Sequence, residues 1–306
     1  MICEKTVVGA GSEYPLNGML SFPDDLKGPV PGVVFVHGSG ASNMDEKVFA
    51  LTPFKDLAEG LAARGIASIR YDKRTFAHAK KLRGVSPTAR EETIEDAILA
   101  SGLLRADPRV DPERVFLVGH SMGAMLAPRI DAECGLFRGL VLLAGTPYRM
   151  EDIVRRQLGQ AAAGKGGLMK WVVGLEDKIF SKKFDGLYEM SDEEAKKKKF
   201  AGSVTLWYFK EMGRKTAADY LLESEKPVLI LQGADDFQVL ADVDYKRFQE
   251  LLGGRPRTEF KLYPGLDHAF VKSLGGSILN AAKEYKTERH IGPEVLDDIA
   301  DFVSRV

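Results

Sequence analysis

A serine at 121, an aspartate at 236 and a histidine at 268 occur in this chain in an order that suits nucleophilic acyl chemistry. Ser121 stands in Gly119-His120-Ser121-Met122-Gly123, after the apolar run Val115-Phe116-Leu117-Val118 and before a helix-forming stretch from Ala124. Strand, sharp turn, helix is the context in which a G-x-S-x-G pattern acquires chemical meaning. Glycine on both flanks leaves room for a tight backbone. The helix N-terminus behind the hydroxyl offers unpaired N–H groups and a partial positive charge to a developing oxyanion.

A serine hydroxyl is almost un-ionised at neutral pH, so attack needs a base within reach and a third group to orient that base. On sheets with such an elbow the partners follow in the order serine, acid, histidine. Only His268 and His290 lie beyond Ser121. His268 ends Tyr263-Pro264-Gly265-Leu266-Asp267-His268, just past a strand, where a loop can carry it over the elbow. His290 sits in a charged stretch and suits the surface. For the acid, Leu231-Gln232-Gly233-Ala234-Asp235-Asp236-Phe237-Gln238-Val239 follows a strand. Such segments commonly read G-x-x-D-x-x-V, which selects Asp236, with Asp235 as the alternative. Asp267 is a weaker candidate, because a neighbour in sequence rarely reaches the far nitrogen of the base. His37-Gly38-Ser39-Gly40 follows another apolar strand, at the place where a second oxyanion donor is expected. The expected donors are the backbone N–H groups of Ser39 and Met122.

These residues need a scaffold, and the chain reads as one. Strands are expected at 4–10 and 16–22, as an antiparallel lead-in, then at 32–36, 66–71, 115–118, 140–144, 227–231 and 258–263. Between them, helical spacing appears at Phe54, Leu57, Ala58 and Leu61, with Thr52 as N-cap and Pro53 at the first helical position. Further helices are expected from Ile94 to Ser101, from the elbow to about Cys134, near 242–252, and over Val295, Ile299 and Phe302. Residues 75–91 read as loop, and Pro108 and Pro112 bracket a turn. Buried strands alternating with helices indicate a mostly parallel sheet covered on both faces.

The alternation breaks between Pro147 and Glu225. This segment carries large apolar groups, among them Trp171, Phe184, Trp207 and Tyr208, too many for a solvated linker. The expected organisation is a core over 1–146, a helical cap over 147–225 and the rest of the core over 226–306. The cap should lie over Ser121, and Trp171, Phe184, Trp207 and Tyr208 are its candidate substrate residues. The lysine run 196–199, beside Asp192, Glu193 and Glu194, reads as a solvated helix face.

The chain has 306 residues, 44% hydrophobic and 28% charged, which suffices for a sizeable core. A net charge of −1 gives no argument for nucleic acid or a membrane surface as partner. Two cysteines, Cys3 and Cys134, form no disulfide framework and suit a reducing compartment. No run reaches membrane-span length and the first residues lack a signal-peptide pattern, so a cytoplasmic location is expected. A homodimer is compatible with the composition. Neither cysteine has a C-x-x-C partner and no H-E-x-x-H occurs, so no metal is expected.

The motifs HGSG, RYDKRT, GHSMG, LQGADDFQV and YPGLDHAF together resemble those of an α/β-hydrolase, and in particular bacterial serine esterases related to dienelactone hydrolase and the cinnamoyl/feruloyl esterases. They span nearly the whole core and leave out the insertion. The resemblance implies an α/β-hydrolase fold, a Ser-Asp-His triad, no cofactor, a helical lid over an acyl pocket, and small-molecule carboxylic esters as substrates. One departure is local: relatives often follow HGSG with a proline and an acidic-basic pair, where this chain has Ala41-Ser42-Asn43-Met44. Two other readings stand beside the esterase. A peptidase or acyl-amino-acid hydrolase would use the same triad, with Glu189, Asp192, Glu193 and Glu194 available to bind a free amine. A non-catalytic binding protein on this fold would lack a triad member, and none is missing.

Overall fold

The computed structural model of the chain describes residues 1–163 and 182–306. Its centre is an eight-stranded sheet in the order β1-β2-β4-β3-β5-β6-β9-β10. The strands are β1 (Ile2–Val8), β2 (Leu16–Phe22), β3 (Val30–Val36), β4 (Ala67–Tyr71), β5 (Val110–His120), β6 (Leu140–Leu143), β9 (Val228–Gly233) and β10 (Thr258–Tyr263). β2 runs antiparallel to β1 and β4, and every other neighbouring pair is parallel. Continuous apolar strands such as Val-Val-Phe-Val in β3 are what a sheet buried on both faces requires.

Period-two alternation sends successive side chains to opposite layers. Val34, Val36 and Leu117 join the core with helices α3 (Glu95–Arg105) and α4 (Met122–Cys134). Val33, Phe35, Phe116 and Val118 pack on the other face against α1 (Pro53–Ala62) and the C-terminal helix Pro293–Arg305. That last helix buries Val295, Ile299, Phe302 and Val303 along one stripe. All the loops that matter below leave the carboxyl ends of β3, β4, β5, β6, β9 and β10. In open α/β sheets this is the end where ligands bind.

Several local expectations need correction. Thr52 caps α1 without a side-chain hydrogen bond; its backbone carbonyl receives the Lys55 and Asp56 N–H groups instead. Residues 75–91 are not all loop, since Arg74–Ala77 form a single helical turn, α2, and a wide turn over Arg90–Ile94 leads into α3. Pro112 lies inside β5 and not in the turn before it, at the register shift between Val30 and Gly32 of β3. A proline is tolerated in a strand at such an irregularity, where no ladder N–H is needed.

The segment between β6 and β9 contains α5 (Met150–Ala163), helices at Asp192–Lys197, Leu206–Met212 and Ala217–Leu222, and an unexpected hairpin of β7 (Lys199–Ala201) with β8 (Val204–Thr205). Leu187, Ala195, Leu206 and Phe209 form a small core of its own, with Phe184, Phe200 and Tyr208 packed against it. The final part does not belong to that unit. Met212, Ala217, Ala218 and Leu221 join the main core beside α4, because the small Ala217 and Ala218 allow close approach. Lys196 and Lys198 pair with Glu193 and Glu194 on an exposed face.

Candidate active site

Ser121 follows β5 directly and occupies φ +52°, ψ −117°, a region that residues with side chains seldom enter. The flanking glycines are what allow it: a side chain on Gly119 would overlap the Gly123 carbonyl, and one on Gly123 would overlap the Val36 carbonyl. The Ser121 N–H donates to the Leu143 carbonyl at 2.8 Å, which pins the turn to β6. Strain so held by its surroundings is a mark of functional elbows.

His268 and Asp236 are brought together from the loops after β10 and β9. His268 Nδ1 lies 2.7 Å from Asp236 Oδ2. Asp236 is almost fully buried and its carboxylate is saturated with donors. Oδ2 also accepts from the Gln232 side chain at 2.9 Å, and Oδ1 accepts the Gln238 and Val239 N–H groups at 2.7 and 3.0 Å. A carboxylate so fixed holds one face of the imidazole in place. Asp235, the alternative, is exposed. Asp267 is buried but points elsewhere: it accepts the Ala269 N–H at 2.9 Å and faces Arg289, and burial pushes its pKa up to about 6. His290 is on the surface beside Asp56. Ser121 and His268 line one cavity without a direct hydrogen bond between them, an arrangement common before substrate tightens a site.

Ser39 and Met122 flank Ser121, and among the described residues neither N–H is engaged elsewhere. The loop carrying Ser39 is braced by groups that the sequence reading did not single out. His37 is buried against Phe54 and Tyr71; burial lowers its pKa to about 4 despite Glu46, so it is neutral, with Nε2 3.0 Å from the Asn43 carbonyl. The Gly38 N–H donates to Glu46 Oε1 at 2.7 Å, and the Gly38 carbonyl accepts from Lys73 Nζ at 2.9 Å. Glu46 Oε2 also sits 2.8 Å from His120 Nδ1, while His120 Nε2 is 2.9 Å from the His268 carbonyl. A carboxylate beside one ring nitrogen and a carbonyl on the other favour the imidazolium. Burial opposes that charge, but the Glu46 carboxylate outweighs it and lifts the His120 pKa to about 9. His120 and Lys73 lie inside motifs that were legible. Their partners, Glu46 for His120 and Glu92 for Lys73 at 2.7 Å, could not be found, because they come from distant segments with no spacing to link them.

Two cavities meet at Ser121. The larger, about 610 Å³, is lined by Met122 and Met125 of α4, by Thr75, Leu82 and Val85, and from the insertion by Met150, Ile153, Val154, Phe200, Val204, Tyr208 and Phe209. The smaller, about 200 Å³, is lined by His268, His120, Gln238, Tyr285, Ser42 and Lys47. Of the four expected cap aromatics, Tyr208 lines the large cavity. Phe184 does not: it packs into the insertion's own core, its ring 4.9 Å from that of Phe209. Trp207 turns outward, with Lys196 and Arg214 over its ring. Both serve the insertion's packing, and Phe200 and Phe209 line the cavity instead. Trp171 lies outside the described residues.

Against known proteins, the alpha/beta hydrolase family matches residues 33–273. The chain belongs to the α/β-hydrolase family. It is 31% identical over 288 residues to Esterase EstD of Thermotoga maritima, covering 94% of this chain and 65% of that relative, just under two thirds of its length. Two solved structures share the fold at low identity. Est1E from Butyrivibrio proteoclasticus aligns at 16% identity with a TM-score of 0.58, over 97% of this chain and 99% of that one. It has also been solved with ferulic acid bound. The Pyrococcus horikoshii acylaminoacyl peptidase aligns at 14% identity with a TM-score of 0.59, over 99% of this chain and 41% of the other. No described helix of this α/β-hydrolase is long and apolar enough to cross a membrane.

Proposed function

We propose that this α/β-hydrolase is a serine carboxylesterase, with Ser121 as nucleophile, His268 as base and Asp236 as the acid that orients it. The observation that carries the reading is the strained Ser121 elbow sharing a cavity with a histidine whose far nitrogen is held by a buried, donor-saturated aspartate. His268 Nε2 takes the hydroxyl proton as Ser121 Oγ attacks the ester carbonyl carbon. The oxyanion accepts from the N–H groups of Ser39 and Met122 as the C=O bond becomes single. Collapse expels the alcohol, which leaves with the proton from His268, and water then reverses the sequence to release the acid.

The acyl group belongs in the larger cavity, beneath the insertion that serves as a cap. Its volume of about 610 Å³ lies within the roughly 300–1,000 Å³ of sites for drug-sized ligands. The leaving alcohol must meet His268, which lines the smaller cavity. A peptidase reading has the fold of the acylaminoacyl peptidase behind it. However, a free amine needs an unpaired carboxylate, and the acidic residue on the described wall, Glu92, is already taken by Lys73 and Tyr208. Asp192, Glu193 and Glu194 pair with cap lysines and Arg214, and Glu189 is exposed and lines neither cavity. A panel of esters and matched amides graded by acyl length tests the assignment. It predicts ester turnover with preference set by the acyl side, and fails if amides bearing a free amine are the better substrates.

A further inference from the structure

The peptide unit that joins Gly38 to Ser39 is held from behind by a buried cation. Lys73, two residues past β4, is 2% exposed, and its Nζ lies 2.9 Å from the Gly38 carbonyl oxygen and 2.7 Å from Glu92 Oε1. That carbonyl and the Ser39 N–H belong to one planar, resonance-coupled amide, and in the trans form they point in opposite directions. A positive charge on the oxygen therefore draws electron density away from the nitrogen on the other side. The Gly38 N–H, one unit back, is tied to Glu46 at 2.7 Å, so the turn cannot rotate to escape.

We infer that Lys73 is a positioning residue for ester cleavage, which holds the Gly38–Ser39 peptide in place and polarises the Ser39 N–H toward the oxyanion. This rests on the esterase reading above. The fold alone does not call for a buried lysine here: a charge removed from water is heavily penalised before pairing returns any of it. Glu92 offsets that charge, and a carbonyl is the remaining acceptor. Hydrogen bonds in series strengthen one another, and a charged donor makes the first link stronger. The same chain reaches the acyl cavity. Tyr208 of the insertion donates to Glu92 Oε2 at 2.8 Å, so a wall residue of the cavity is linked through Glu92 and Lys73 to the oxyanion donor.

Removing Lys73 alone would strand Glu92, so the test uses Lys73→Met with Glu92→Gln, which is neutral and keeps an acceptor for Tyr208. Deleting an oxyanion donor costs roughly 10²–10³ in kcat, and weakening one should cost about 10- to 30-fold. Expected in the double variant is that loss in kcat with KM within about twofold. A trifluoromethyl ketone, whose adduct carries the oxyanion, should lose affinity by the same factor. A double variant as active and as tightly inhibited as the wild type overturns the proposal, as does a rise in KM with kcat intact. Should the methionine variant fail to fold, Lys73→Gln with Glu92→Gln retains a neutral donor and should show a smaller kcat loss, which its absence would equally refute. Ser121→Ala assayed alongside separates the two claims. If it stays active, the nucleophile assignment fails; if it is dead while the Lys73 variants match wild type, only the role of Lys73 falls.

Discussion

The ends of the parallel strands and the insertion above them are built by different means. At the strand ends, side chains are fixed by hydrogen bonds and ion pairs between buried polar and charged groups: Asp236 with four donors, His120 between Glu46 and the His268 carbonyl, Lys73 between Gly38 and Glu92. The insertion is held by apolar packing around Phe184, Phe200 and Phe209, with surface ion pairs outside. Directional bonds suit parts that must keep one geometry for bond making. Packing tolerates replacement, which suits a wall that selects by shape. Substitutions in the first region should therefore change rate, and substitutions in the second should change which substrate is preferred.

The largest effect should come from the elbow. Ser121→Ala should lower kcat by about 10⁶, as loss of a triad nucleophile does, and His268→Ala nearly as much, with little further loss when the two are combined. Steady-state kinetics on purified, folded variants measure this. Next, Asp236→Asn should cost roughly 10⁴ through the wrong imidazole tautomer, whereas the exposed Asp235→Asn should stay close to wild type. The reverse ranking would move the acid to the neighbouring residue.

A smaller change is expected from the cavity wall. Each acyl methylene buried there should contribute about 0.8 kcal/mol, close to fourfold in kcat/KM, up to the length the cavity accepts. Val154→Trp, on that wall, should cut the series short while leaving acetate esters within about threefold. A uniform loss over all acyl lengths would erase the contrast between the two regions.

His120 sharpens the comparison through pH. Its folded pKa of about 9 lies above the ordinary value of 6.5, so its pairing contributes full stability below about 6.5 and loses it as pH rises through 9. Thermal melts from pH 7 to 10 should fall for the wild type, and His120→Gln should lack that part of the fall. Smallest of all, chelation should leave ester turnover unchanged, because no sequence motif offers a metal site.

How much of this was legible in the sequence follows the same division. The strand–elbow–helix of Ser121, the sheet and the loops of Asp236 and His268 are written in runs of a few residues, since glycine, proline and alternating apolar residues act locally. The separation of Asp235 from Asp236 needed burial, which a sequence does not display. The insertion was legible as a helical interruption, without its hairpin or its orientation. Which face of it turns to Ser121 depends on how its helices roll onto the sheet, so Phe200 and Phe209 reached the cavity while Phe184 and Trp207 did not. The small Ala217 and Ala218 likewise gave no sign that the helix Ala217–Leu222 would join the main core.

The central claim is that Ser121 is the nucleophile, and reaction with a fluorophosphonate followed by peptide mass spectrometry tests it most directly. The account predicts one adduct per chain on Ser121, with ester turnover lost in proportion to labelling and no adduct in Ser121→Ala. An adduct on another residue, or full turnover from protein modified at Ser121, would contradict it.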